Sequence, residues 1–200
     1  MPAIAVLGDP NTGKSVFTYL LFKELVKRGN LKVFRQEGDP SAPTSPWYLE
    51  SGQEELRKKV KSPWDWKKVE WVRDSIYNLK KIFDVVLVDA GGGKPPAERV
   101  TKENTEILKA VDGVILLCRS DNYEECFSGW ERELKEKAPN AKILLKCIST
   151  LENDESVFDD SKCILVGLDR RQALTPSEDL VNAISKIAEK IETTITSGKT

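Results

Sequence analysis

"VLGDPNTGKSVF", Val6–Phe17, is the stretch whose reading decides the fold. It carries Gly8-x-x-x-x-Gly13-Lys14-Ser15 and stands between two segments of different periodicity. Before it, "AIAVL" (Ala3–Leu7) is a continuous apolar run of strand length, the pattern of a parallel strand covered on both faces. After it, Val16 to Arg28 repeats apolar residues at helical spacing and stops at Gly29-Asn30. The four fixed positions arise by chance in on the order of one chain in a hundred of this length. A chance match has no reason to sit between a buried strand and a helix.

Working outward, the alternation continues. Further strands are predicted at "LKVFRQ", "DVVLV" (Asp84–Val88), "GVILLC" (Gly113–Cys118), "AKILLKCI" and "KCILVG". A helix is predicted from the cap Ser62-Pro63 to about Ile82, with Trp66, Val69, Val72, Ile76 and Leu79 inward. Others are predicted at Val100–Val111 and Tyr123–Lys137. The last opens with the capping box Thr175-Pro176-Ser177-Glu178 and keeps Leu180, Val181, Ile184, Ile187, Ala188 and Ile191 inward. Strands separated by helices make βαβ units, so the expected class is α/β: three layers, with a mostly parallel sheet of about six strands flanked by helices. Residues 1–192 read as one nucleotide-binding domain and 193–200 as a frayed tail. Only Asp39–Ser62, with Pro40, Pro43 and Pro46, breaks the rhythm.

The 200 residues are 40% hydrophobic and 32% charged, a globular composition with a charged surface. A net charge of −1 does not indicate a nucleic-acid partner, and no apolar run approaches the roughly 20 residues that span a bilayer. A cytoplasmic protein is expected. Cys118, Cys126, Cys147 and Cys163 lack metal or redox spacing and read as small core side chains in a reducing compartment. There is no histidine, so any catalysis falls to carboxylates, lysines, hydroxyls, backbone amides or a metal.

The Gly8–Ser15 pattern resembles the Walker A loop of P-loop NTPases. Its glycines let successive amides face phosphate oxygens, Lys14 reaches the β- and γ-phosphates, the Ser15 hydroxyl ligates Mg²⁺, and the following helix turns its positive end to the same anion. Gly8, Asp9, Pro10, Asn11, Thr12, Gly13, Lys14, Ser15 and Val16 are the expected phosphate cradle. "FDVVLVDAGGGK" delivers Asp89 to the C-terminal edge of a second buried strand, where ligands bind in open α/β sheets. Asp89 is expected to hold Mg²⁺ through water opposite Ser15.

Ala90 follows Asp89, so the glutamate of RecA-like and AAA-type ATPases is absent. Asp89-x-x-Gly92 resembles the γ-phosphate sensor of the GTPase and kinase branch, with the Gly92 amide on the γ-phosphate and Lys94 either neutralising it or simply solvated. "GDPNTGKS" is similar to the start of translation-associated GTPases, but no N-K-x-D follows, and ATP is favoured over GTP. Partition-type ATPases carry a lysine after the first glycine. Asp9 stands there, so no lysine reaching into a partner subunit is expected. "GDPNTGKSVF", "FDVVLVDAGGGKPP" and "ILVGLDR" together resemble the P-loop domain fused to some CRISPR-associated ring-nuclease proteins, which implies an ATP-binding fold without the nuclease.

On the acceptor side, Glu37 and Asp39 are candidates to position a hydroxyl or water, or belong to a surface turn. Trp47, Trp64, Trp66 and Trp71 cluster in sequence, as a stacking or docking stripe or as packing. Arg170 and Arg171 are candidate base or lid contacts, or solvated. Two functions follow. One is a Mg²⁺-dependent ATPase or phosphotransferase acting on a small-molecule or nucleotide acceptor, with Lys14, Asp89, Glu37 and Asp39 catalytic. The other is a nucleotide-sensing module that docks a protein partner or a second copy.

Overall fold

The run Ala3–Leu7 is the central strand of the sheet because it is buried on both faces: Ile4 and Val6 point to one side, Ala3, Ala5 and Leu7 to the other. The structure, a computed structural model, describes residues 2–39, 65–152, 155–159, 161–170 and 173–197. Along these the strands are β1 (Ala3–Leu7), β2 (Val33–Gly38), β3 (Val85–Ala90), β4 (Gly113–Arg119), β5 (Lys142–Thr150), β6 (Val157–Phe158) and β7 (Cys163–Val166). Their spatial order is β2-β3-β1-β4-β5-β7-β6, parallel throughout except for the β6–β7 hairpin at one edge.

Five helices among the described residues cover the sheet: α1 (Lys14–Arg28), α2 (Trp66–Leu79), α3 (Lys102–Leu108), α4 (Tyr123–Lys137) and α5 (Glu178–Ser197). One core lies between the sheet and α1 and α5, with Phe17, Leu21 and Leu25 meeting Ile184, Ile187 and Ile191. The other lies under α2, α3 and α4, with Val69, Val72, Ile76, Ile107 and Trp130 against the opposite face. This three-layer arrangement matches the expected class.

The helix ends follow local chemistry. α1 stops at Gly29, whose left-handed backbone returns its amide to Leu25 O, while Lys27 and Arg28 complement the dipole. Thr101 caps α3 by accepting from the Asn104 amide at 3.2 Å, and Asp65 caps α2 through the Lys68 amide at 3.0 Å.

Some expectations need correction. The sheet has a seventh strand, β6, whose two residues are too short to show any period. Trp66, expected inward, is 46% exposed. α5 continues past Glu192 to Ser197, because Ile195 extends the stripe of Ile191 by one turn and is buried with it. Cys118 at the end of β4 and Cys126 in α4 form a disulfide, so the reading of four reduced cysteines holds only for Cys147 and Cys163. The Ser62-Pro63 cap, Pro40, Pro43, Pro46, Trp47, Trp64 and Arg171 lie outside the described residues. Among those described, no helix is long and apolar enough to cross a membrane.

Candidate functional site

β1, β3, β4, β5 and β7 all end on the same edge of the sheet, and a cleft of about 1150 Å³ opens there. Its floor is the turn from β1 into α1. The turn needs Gly13, which has φ 86°. A Cβ there would also lie 2.6 Å from the Leu168 side chain. Lys14 is the first residue of α1 and is buried, and its ammonium donates back into the turn, to the carbonyls of Gly8 at 2.9 Å and Asp9 at 2.8 Å. Burial lowers its pKa to about 8, against the charges of Asp89, Asp9 and Asp39, with Arg170 adding to the lowering.

β3 pairs directly with β1, Asp89 opposite Val6, and so sets its terminal carboxylate beside the turn. The Ser15 hydroxyl donates to Asp89. On the other side Arg35 Nη2 donates to Asp89 Oδ2 at 3.0 Å, while Arg35 Nη1 lies 3.1 Å from Glu37 Oε1. The register explains the triad. Glu37 is opposite Asp89 in the parallel β2–β3 pair, and Arg35, two residues earlier, shares their face. Burial pushes the Asp89 carboxyl above its ordinary range, opposed first by Arg35, then by Ser15 and Lys14.

Beyond β3 the chain passes close over the turn at Gly92, where a Cβ would lie 2.9 Å from Pro10 N and 3.1 Å from Lys14 Nζ. Only a bare α-carbon fits there. Asp9 takes no part in the cleft wall. Its carboxylate turns inward and accepts from Arg99 Nε at 3.0 Å, Arg99 Nη2 at 3.2 Å and Trp130 Nε1 at 2.8 Å. Glu133 of α4 anchors the same segment by accepting from the amides of Arg99 and Val100. Burial opposes the charge on Glu133, yet those amides and Lys137 hold its pKa below the ordinary range.

Of the residues singled out in the sequence, the structure brings Pro10 to Val16, Glu37, Asp39, Asp89, Gly92, Lys94 and Arg170 to one cleft. Gly8 and Asp9 support it from beneath. Sequence reasoning missed Arg35, which alternation along "VFRQEG" places on the face of Glu37. It also missed Arg99, Trp130 and Glu133, which only the fold brings to Asp9. The remaining walls, Arg119–Asp121, Ser149–Glu152 and Leu168–Asp169, carry no motif.

No protein-family model and no curated protein matches the sequence. Solved structures do. The cell division ATPase MinD of Pyrococcus furiosus superposes with a TM-score of 0.61 at 17% identity, over 96% of this chain and 99% of that one. A plasmid partition protein of Borrelia burgdorferi gives 0.58 at 15%, over 96% and 99%. Cobyrinic acid a,c-diamide synthase of Mycobacterium smegmatis, with bound ADP and magnesium, gives 0.55 at 14%, over 99% and 97%. The fold is therefore that of the P-loop NTPases.

The buried Asp9 network makes a stability prediction. Asp9→Ala leaves the buried Arg99 guanidinium with only the exposed Glu125 carboxylate at 3.4 Å and should cost about 3–5 kcal/mol of unfolding free energy. Trp130→Phe removes one hydrogen bond to the same carboxylate and should cost about 1–3 kcal/mol. Denaturant titrations of the three proteins check both values.

Proposed function

We propose that the chain binds ATP with Mg²⁺ in this cleft and works as an ATPase or a kinase-like phosphotransferase. The observation that carries the reading is the meeting of three groups: the Lys14 ammonium at the N-terminus of α1, the Ser15 hydroxyl, and Asp89 at the end of β3. A triphosphate accepts from Lys14 in place of the Gly8 and Asp9 carbonyls, and from the amides of Asn11 to Ser15. Ser15 and Asp89 fit a hard cation, which takes oxygen ligands and keeps water and phosphate oxygens in its remaining positions. Magnesium would supply charge neutralisation on the β- and γ-phosphates. Gly92 and Lys94 then face the terminal phosphate. Glu37 and Asp39 line the acceptor side, where Glu37, steadied by Arg35, can orient a hydroxyl or a water.

Support for ATP and magnesium comes from the synthase structure holding ADP and magnesium in the same fold. Support for ATP over GTP is that the sequence from the end of β5 reads "STLEND" and carries no N-K-x-D motif. The kinase and GTPase branch is supported by Ala90, which replaces a second catalytic acid. That same residue supports the alternative, a nucleotide-sensing module with little turnover that docks a protein partner or a second copy. The CRISPR-associated reading rests on the three sequence stretches alone.

A thermal-melt panel with Mg²⁺ and ATP, GTP or ADP tests the site. At a hundredfold excess over its dissociation constant a ligand adds about 2.7 kcal/mol, roughly 5–10 °C for a chain of this size. Lys14→Ala should lose that shift while melting as the parent does without nucleotide. No shift with any triphosphate would overturn the reading. Phosphate transfer to an added acceptor, or its absence under saturating ATP, separates enzyme from sensor.

Asp89→Asn should bind ATP in chelator as the parent does and lose the gain from added Mg²⁺. Superimposable metal titrations would take Asp89 out of the magnesium shell.

The lowered Lys14 pKa gives a pH dependence of defined sign. Only the ammonium pairs with phosphate, so affinity should be level near neutrality and fall as pH rises through about 8, approaching tenfold per unit above it. Calorimetric titrations across that range check it.

A further inference from the structure

The core under α1 and α5 holds two thiols that the cleft does not use. Cys147 of β5 and Cys163 of β7 are neighbours across a parallel pair, one step before Ile148 opposite Ile164. Adjacent strands lie about 4.8 Å apart, inside the roughly 4.4–6.8 Å between α-carbons that a disulfide spans. The two Sγ atoms are 2.8 Å apart. The Cys163 thiol donates to Cys147 Sγ, so the two sulfurs already face each other. Cys147 is fully buried and Cys163 is 6% exposed.

From this juxtaposition we propose that Cys147 and Cys163 are a second disulfide site, oxidised by small-molecule disulfides. Cys118 and Cys126 are already joined, so the chain carries one such bond elsewhere. Access is from the sheet edge. Cys163 lines a shallow cleft of about 340 Å³ with Lys146, Lys162 and Lys190, next to the two-residue strand β6. Cys163 attacks a sulfur of the external disulfide and releases one thiol. Cys147 then attacks the mixed disulfide at Cys163 and releases the second. Two protein thiols are oxidised, one external disulfide is reduced to two thiols, and the two cysteine protons leave on them.

The bond would matter to the cleft whether or not a nucleotide fills it. β5 runs on into the wall Ser149–Glu152 and β7 into Leu168–Arg170, and Leu168 presses on Gly13. Joining the strands just below these loops fixes the spacing of the two walls.

The test uses the full chain, reduced and then treated with oxidised glutathione, and afterwards unfolded in the presence of a thiol-alkylating reagent. Trypsin cuts after Lys146, Lys162 and Arg170, so Cys147 and Cys163 fall on separate peptides, as do Cys118 and Cys126. The expected result is a joined pair of peptides, Cys147–Lys162 with Cys163–Arg170, and no alkylated cysteine in either. Alkylation of both in the oxidised protein overturns the proposal. In the Cys118→Ser, Cys126→Ser variant, oxidation should raise the melting point by several degrees, and adding Cys147→Ser should abolish the rise. An unchanged melt on oxidation of that double variant would overturn the clamp between the walls.

Discussion

The geometry of the loop between β1 and α1 depends on a buried charge beneath it. Asp9 lies inside the loop, yet its carboxylate points away from the cleft into a pocket closed by Arg99 and Trp130. A charged carboxylate out of water is tolerated only with its partners in place, and three donors meet it here. The loop therefore cannot shift without exposing or stranding an ion. Arg99 in turn is held through its amide by Glu133 of α4, and the Asn104 side chain reaches the carbonyls of Gly91 and Arg99. One network thus fixes the loop after β1 and the loop after β3, which meet at the floor of the cleft.

A second ionic bridge sets the charge of the cleft. Arg35 stands between Glu37 and Asp89 and is itself only 3% exposed. Without it, two carboxylates paired in register would repel within a low-dielectric pocket. With it, Glu37 and Asp89 share one cation and line the cleft next to Lys14. Burial still favours the neutral form of Asp89, and Arg35, Ser15 and Lys14 oppose it by favouring the charged one.

The fold was legible where pattern and punctuation agree. Ala3–Leu7, Gly29 and the stripe of Ile184, Ile187 and Ile191 each carry a signal several residues long. Asp89 was legible because an apolar strand delivers it to an edge where ligands bind. Arg35 was within reach of period-two reasoning, since it stands two residues before Glu37 on the same face of β2. Arg99 and Trp130 were not legible: they lie far along the chain from Asp9, and no local pattern marks a long-range partner of a buried carboxylate. The Cys118–Cys126 bond escaped because eight residues separate its halves across a strand-to-helix turn, with no spacing rule to flag it. It also removes the support that cysteine usage lent to a reducing compartment.

The likeness to MinD and to a partition protein is one of fold, at 17% and 15% identity. The sequence places an aspartate where partition-type ATPases carry a lysine, and the structure shows why the two are not interchangeable in this chain. The pocket that receives the residue-9 side chain already contains a guanidinium and an indole N–H, all donors. A lysine directed there would bury a second cation against Arg99, with only the exposed Glu125 carboxylate at 3.4 Å to offset it. The surroundings of Asp9 have thus adapted to an inward acid. The shared fold alone does not bring a partner subunit's lysine into the site.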